Sequence, residues 1–235
     1  MKSRQSGFTL VEIAIVLVII GLLIGGVLKG QEMITQGRIK NSVIDFSGIT
    51  AAYYAYIDRY KVLPGDDSQA NNRWGTSVLP ANSSGNGDGV INGAYNVTGA
   101  ASVETQYFWM HLRAAGLVTG SAASPKQPVN FAGGIIGVQT GNGPAQGGSL
   151  SGVLKGNGDT GLMTLMICSE GLPDRVAAAV DLQLDDGVTD SGSIRAQTTI
   201  YPLAQDIIQQ SAFTHTSGTN GYTDIGTPYT LCKAL

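Results

Sequence analysis

The hydrophobic residues of this chain are concentrated near its N-terminus. Between residues 8 and 28 the only charged side chain is Glu12. At about 1.5 Å per residue, a helix of this length crosses the ~30 Å hydrocarbon core of a bilayer. Residues 1–7 are polar and basic, which predicts a cytoplasmic N-terminus and export of the chain beyond the span. A secretory signal peptide would end at a small-x-small site, whereas residues 21–30 continue into helix-like sequence. The pattern favours a retained membrane anchor.

The helical period continues beyond this apolar run. Pro64 and Gly65 then provide an end for the helix. We therefore predict one helix of about 50 residues, with residues 8–28 in lipid and residues 29–63 packed on a soluble head formed by residues 64–235. The apolar stripe of the second half, spaced by three or four residues, consists of Ile39, Val43, Phe46, Ile49, Tyr53, Ile57 and Tyr60.

The first half of the head is dominated by loops. Residues 64–101 and 118–160 are rich in small, turn-forming residues, which indicates surface loops rather than core. Between them, residues 103–117 predict a short amphipathic helix that is capped by Gly116.

The second half of the head combines short helices and strands. Residues 162–168 form an apolar run that suits a strand or a helix. Residues 170–180 suit a helix, with Pro173 near its start. Residues 180–195 place an Asp-Gly turn between alternating segments, which predicts a β-hairpin. Residues 203–210 fit either type of element.

Composition and motifs narrow the class of protein. Only 13% of the residues are charged and 33 of 235 are glycine, which excludes a coiled coil or a charged disordered tail. The net charge of −3 leaves no basic field for a nucleic-acid partner. His111 and His215 lie in no metal-ligand pattern, and the sequence has neither a nucleophile elbow nor a phosphate-binding loop. We therefore expect no enzymatic activity.

Residues 2–12 carry the most specific signal in the chain; they read KSRQSGFTLVE. This segment closely resembles the processing site of type IV prepilins and type II secretion pseudopilins. A basic leader, a glycine, a phenylalanine, a glutamate and a long apolar run occur in register. The resemblance, which covers about the first 60 residues, implies that prepilin peptidase cuts between Gly7 and Phe8 and that the same enzyme methylates the new amino group of Phe8.

Glu12 is unusual within an apolar helix, because insertion of a carboxylate into the membrane costs about 2.5 kcal/mol or more of free energy. In one interpretation it reaches the lipid headgroups. The resemblance implies instead that Glu12 pairs with the amino terminus at Phe8 of an adjacent subunit during assembly. The implied partners are other copies or other pilins in a filament, membrane lipid, and an inner-membrane assembly platform driven by a separate ATPase.

Four glycines interrupt the apolar run at two small-xxx-small spacings: Gly21, Gly25, Gly26 and Gly30. Such spacing allows close approach of helices in membranes. The corresponding region of related pilins can unwind when subunits pack. A general enrichment of glycine in membrane helices explains the same residues.

The resemblance implies an α+β fold, in which the long N-terminal helix packs on a small antiparallel-sheet head with long loops. In an exported protein, Cys168 and Cys232 should form a disulfide. Pilins commonly link their C-terminal region in this way. Two unpaired buried thiols are the alternative.

Calcium is the one cofactor that the sequence suggests. Residues 84–92 resemble the first nine positions of a calcium-binding loop, with Ser84, Asn86, Asp88 and Val90 at the ligand positions. A solvated turn rich in Gly and Asn explains these residues equally well. A second acidic group, also compatible with a plain hairpin turn, comprises Asp181, Asp185, Asp186 and Asp190.

Together these features predict a structural subunit of a type IV pilus or a related filament. Its head is long for a major pseudopilin, so we expect a pilus subunit or a minor, tip-located component. The expected location is a single-pass protein of the inner membrane with an exported head, followed by the pilus or pseudopilus. The alternative is an exported enzyme or calcium-dependent binding module that uses a pilin-like anchor.

Overall fold

A computed structural model describes residues 9–97, 103–141, 154, 161–199, 221–223 and 226–235. The chain divides into two compact units, Met1–Arg38 and Ile39–Leu235. The order of the elements is α1 (Leu10–Tyr60), α2 (Ala70–Trp74), α3 (Glu104–Ala114), β1 (Ile136–Thr140), β2 (Leu165–Pro173), α4 (Asp174–Leu184), β3 (Ile194–Thr198) and β4 (Pro228–Ala234).

Helix α1 is 51 residues long, as the hydrophobic period predicts. Within the first unit its apolar side chains are exposed. Within the second unit it buries one face, and the predicted stripe supplies that face. The stripe residues Ile39, Phe46, Ile49 and Tyr53 are buried in the main core, and Val43, Ile57 and Tyr60 pack against it.

The four strands form one antiparallel sheet in the order β1-β2-β4-β3. Alternate residues of β2 enter different clusters, because successive side chains of a strand point to opposite faces. Ile167 belongs to the core shared with α1, whereas Met166 and Cys168 belong to a smaller cluster with Tyr95. The expected α+β architecture of a long helix and a small antiparallel sheet is confirmed.

The predicted disulfide is confirmed. Cys168 on β2 lies directly opposite Cys232 on β4 in the sheet register, and the two residues are joined as a disulfide. Both are fully buried. The bond therefore connects the two central strands of the sheet.

Helix α3 ends as its sequence predicts. Gly116 has a φ of +73°, in the left-handed region that favours glycine. Its N–H donates to the carbonyl of Arg113, and the N–H of Leu117 donates to the carbonyl of Leu112. These two bonds form a Schellman motif, which satisfies carbonyl groups at the helix end.

The hairpin prediction for residues 180–195 is wrong. Helix α4 continues to Leu184, so the first half of the expected hairpin is helical. The apolar residues Val176, Ala177 and Val180 share the buried face of this helix, and that packing outweighs a short alternating pattern. Within the apolar run at 162–168, residues 165–168 form the start of strand β2. The ambiguous segment 203–210 lies outside the described residues.

Candidate functional site

Helix α1 begins with a capping box made by Thr9 and Glu12. The N–H and the hydroxyl of Thr9 each donate to Glu12 Oε2 at 2.8 Å. The N–H of Glu12 donates in return to Thr9 Oγ1 at 3.3 Å. Such reciprocal bonds satisfy donors that the helix itself leaves open at its start. The Thr-x-x-Glu spacing in the sequence indicates such a capping box, although we did not predict one from it.

The capping box uses one oxygen of the Glu12 carboxylate. In the described part of the chain, the hydrogen bonds to Glu12 all involve Oε2, and the side chain is exposed. A carboxylate can accept at both oxygens. Glu12 can therefore cap its own helix and still offer Oε1 to a second cationic group. Gly7 and Phe8, the predicted cleavage and methylation residues, lie outside the described residues.

The apolar side chains in the first part of α1 are exposed in the described part of the chain. The helix is long and apolar enough to cross a membrane, judged by length and composition alone. A Cβ atom added at any of the four predicted packing glycines would have no neighbour within 4 Å among the described residues, apart from atoms of α1 itself. These glycines are Gly21, Gly25, Gly26 and Gly30. These positions are thus open for contact with a neighbouring helix.

The predicted calcium loop folds around two buried carboxylates from elsewhere in the chain. Asp66 accepts hydrogen bonds from the N–H groups of Gly87, Asp88 and Gly89 at 2.6, 3.2 and 2.8 Å. Glu104, in the first turn of α3, accepts from the N–H groups of Asn86 and Asn92 at 3.0 and 2.8 Å.

Among the predicted ligands, Asp88 joins these two carboxylates. One carboxylate oxygen from each of Asp66, Asp88 and Glu104 lies within 4.8 Å of the others. The Ser84 hydroxyl donates instead to Asn71 Oδ1 at 3.1 Å. The Val90 N–H donates to Asp88 Oδ1 at 2.9 Å. Calcium at Ser84, Asn86, Asp88 and Val90 stays a prediction.

The convergence at this loop does not depend on a metal. Backbone N–H groups supply the hydrogen bonds that the Asp66 and Glu104 carboxylates need when buried. Gly85 allows the loop to lie close to Asp66, because a Cβ atom at this position would collide with the Asp66 backbone. No local pattern in the sequence connects Asp66 or Glu104 with the loop, so sequence analysis missed both.

A buried polar network lies next to this loop. Tyr56 donates its hydroxyl to Asp67 Oδ2 at 2.7 Å, and Arg73 forms an ion pair with the same carboxylate. Burial raises the pKa of Asp67, but the hydrogen bonds from Arg73, Tyr56 and Gln69 outweigh it, so the net pKa is lowered. Asp67 is therefore held as a carboxylate that binds α1 to α2.

His111 is a structural residue of the same region. Its Nδ1 accepts from the Gly65 N–H at 2.9 Å, and its Nε2 lies 2.7 Å from the Ser83 carbonyl. These partners require a neutral ring that carries its proton on Nε2. Burial lowers the pKa of His111, opposed in part by the bond to Ser83. The ring thus joins α3 to two loops.

Comparison with known families identifies the N-terminal segment. Residues 2–28 match the family model of the prokaryotic N-terminal methylation motif. The chain carries the signature of type IV prepilins and pseudopilins. This prepilin-type signature includes Thr9 and Glu12 of the capping box and the first part of the exposed apolar helix. Comparison with curated proteins and with solved structures found no match.

Proposed function

We propose that this chain is a structural subunit of a type IV pilus or a related filament. Prepilin peptidase would cut it after Gly7, and the N-terminal helix would assemble it. The observation that carries this proposal is the prepilin-type signature at residues 2–28, which leads directly into an exposed apolar helix. A large exposed apolar surface indicates contact with a membrane or another protein.

The chemistry of the N-terminus gives Glu12 its role in assembly. Cleavage before Phe8 leaves a cationic amine at the edge of an apolar helix. In a packed filament that amine is taken out of water and needs an opposite charge. Oε2 of Glu12 already accepts from Thr9, so Oε1 is the oxygen that would receive the amine of an adjacent subunit.

The proposal includes a set of partners and a location. The peptidase and methyltransferase act first, while the helix lies in the inner membrane with the head exported. Other copies or other pilins then pack against the exposed face of α1. A separate ATPase behind the assembly platform supplies the energy, and the final location is a pilus or pseudopilus. On this proposal the chain has a structural role rather than a catalytic one.

Processing and assembly are tested together by intact mass and cell fractionation. We expect loss of residues 1–7, addition of one methyl group to Phe8, and recovery of the protein in filaments sheared from the cells. An uncleaved chain that is confined to membranes would overturn the proposal. If the chain is cleaved but is not recovered in filaments, in cells that do assemble other pilins, then the processing step of the proposal holds and the assembly step is wrong.

Glu12→Ala separates assembly from processing. The variant should be cleaved and inserted normally but should be absent from filaments, because the neighbouring amine is left buried without a counter-charge at a cost of about 3–5 kcal/mol. Glu32→Ala is the matched control, since Glu32 is an exposed glutamate further along the same helix. Filament yield equal to wild type for Glu12→Ala contradicts the proposed pairing.

A further inference from the structure

The end of helix α4 gathers three carboxylates. Asp181 lies in the last turns of the helix, and Asp185 and Asp186 come directly after it. One carboxylate oxygen from each of the three lies within 4.8 Å of the others. The last turn of α4 contains no basic residue. Negative charge at a helix C-terminus is unfavourable, because the backbone dipole already places partial negative charge there.

Asp181 is the buried member of this group. Its side chain is 0% exposed. Oδ2 accepts from the Tyr222 hydroxyl at 2.7 Å, whereas Oδ1 is buried and has no hydrogen-bond partner. An unsatisfied buried carboxylate oxygen is costly. Burial raises the pKa of Asp181 to about 7. The charges of Asp186 and Asp185 act in the same direction, and the hydrogen bonds from Tyr222 and from the Gly187 backbone act against it.

The other two carboxylates are oriented by the chain that leads to β3. Asp185 Oδ2 accepts from the Ile194 N–H at 2.8 Å. Asp186 accepts from the Val188 N–H at 2.9 Å and from the Ser191 hydroxyl. The three carboxylates are thus held together by bonds that leave lone pairs available. In the described part of the chain, the ion pairs of lysine and arginine involve other acids.

This group differs from the one formed by Asp66, Asp88 and Glu104. There, backbone N–H groups surround the two buried carboxylates. At the end of α4, by contrast, Oδ1 of Asp181 is buried and makes no hydrogen bond. The group at the end of α4 therefore still has a buried carboxylate oxygen that makes no hydrogen bond.

We propose that Asp181, Asp185 and Asp186 bind a divalent cation. An all-oxygen set of carboxylates selects a hard cation, and calcium suits it best, because calcium accepts six to eight oxygen ligands in flexible geometry. Asp186 is exposed, so water can complete the coordination from that side. The bound ion would connect the end of α4 with the start of β3 and, through Asp181, with Tyr222. This inference goes beyond the proposed filament role and does not depend on it.

The test uses the full chain in detergent micelles, freed of metal by a chelator and titrated with calcium alone. We expect calcium to raise the melting temperature of the wild-type protein, with half-saturation at about 10⁻⁴–10⁻³ M. We expect the rise to be lost in Asp181→Asn and in Asp186→Asn. The second variant replaces an exposed side chain, so it keeps the test valid if Asp181→Asn fails to fold.

Terbium provides a second readout. Tyr222 donates to Asp181, so its ring lies close enough to sensitise terbium luminescence at this group. The signal should be displaced by calcium and should fall in Asp186→Asn. Asp88→Asn, in the other carboxylate group, and Asp58→Asn, on the exposed face of α1, are matched controls that should retain both effects.

Two results would overturn the proposal. The first is a wild-type melting temperature that does not change with calcium up to about 10 mM, ten times the weakest expected dissociation constant. The second is a calcium effect that Asp88→Asn abolishes and Asp186→Asn retains, because that outcome assigns the ion to the loop at residues 84–92. Failure of filament assembly would leave either result unchanged.

Discussion

His111 shows how single polar residues organise the interior of the head. Its two ring nitrogens contact the backbone of Gly65 and Ser83, which belong to separate loops. Tyr56 makes a comparable connection from α1 to Asp67. Buried polar groups are tolerated when they are hydrogen-bonded, and removal of one partner leaves the other unsatisfied. These residues therefore contribute to a defined arrangement of loops as well as to stability.

Replacement of Tyr56 by Phe should lower the free energy of unfolding by about 1–2 kcal/mol, because the buried Asp67 carboxylate loses a donor. Urea denaturation of the full chain measures this change. Tyr54→Phe is the matched control, since Tyr54 is 54% exposed on the same helix, and its effect should lie within about 0.5 kcal/mol. Equal effects of the two variants would contradict a structural role for the Tyr56 hydroxyl.

The neutral state of His111 predicts a loss of stability in mild acid. In the unfolded chain its pKa is near 6.5, whereas burial lowers the pKa in the folded protein. Below pH 6.5 the unfolded state therefore binds a proton that the folded state does not bind. The stabilisation that the neutral His111 ring gives the folded protein is complete above this pH. It decreases as the pH falls towards the lower pKa of His111 in the folded protein.

Melting temperatures of wild type and His111→Gln, measured from about pH 7.5 to about pH 5, test this effect. The wild-type value should fall more steeply than that of the variant. The other titratable groups are common to both proteins, so their contribution cancels in the comparison. Parallel curves would show that His111 does not govern the acid response.

At the scale of elements, helix α1 combines two kinds of surface in one continuous helix. Its second part buries a stripe against the sheet and α3, as Phe46 and Tyr53 illustrate. Its first part exposes apolar side chains together with glycines that contact nothing in the described residues beyond their own helix. Glycine costs about 1 kcal/mol in a helix relative to alanine. Glycines that have no such contact with the described residues are consistent with a role between subunits.

Gly25→Leu tests that role. A Cβ atom at residue 25 would meet nothing within 4 Å in the described part of the chain outside α1, so cleavage and membrane insertion should be normal. Filament yield should fall, because neighbouring helices can no longer approach closely. Gly37→Leu is the matched control, since Gly37 is equally open but lies beyond the apolar run. A normal filament yield for Gly25→Leu would contradict helix packing at the glycines.

At the scale of the whole molecule, the disulfide constrains the chain over a separation of 64 residues. In the chain-entropy model, a closed loop of this length stabilises the folded state by roughly 4 kcal/mol, because it restricts the unfolded chain. The double variant Cys168→Ala and Cys232→Ala should therefore melt roughly 10 °C lower than wild type. The wild-type protein under reducing conditions, after unfolding and refolding, should approach the same value. A double variant as stable as wild type would contradict this contribution.

Local patterns in the sequence determined several parts of this protein. The prepilin-type signature, the length of α1, its buried stripe and the Gly116 cap all depend on residues a few positions apart, and such spacing is visible in a sequence. The disulfide could be expected from the presence of two cysteines in a chain that should be exported. The hairpin at residues 180–195 was mispredicted because a few alternating residues also fit the buried face of α4.

Only the tertiary structure decided which acidic residues converge. Asp66 and Glu104 meet the loop at residues 84–92 from opposite sides in the sequence. Tyr222 reaches Asp181 from a position 41 residues away. Burial raises the pKa of Asp181, and the residues next to it in the sequence do not predict that burial. The physical reason is that desolvation and charge proximity depend on contacts between distant segments, whereas periodicity and capping depend on neighbouring residues.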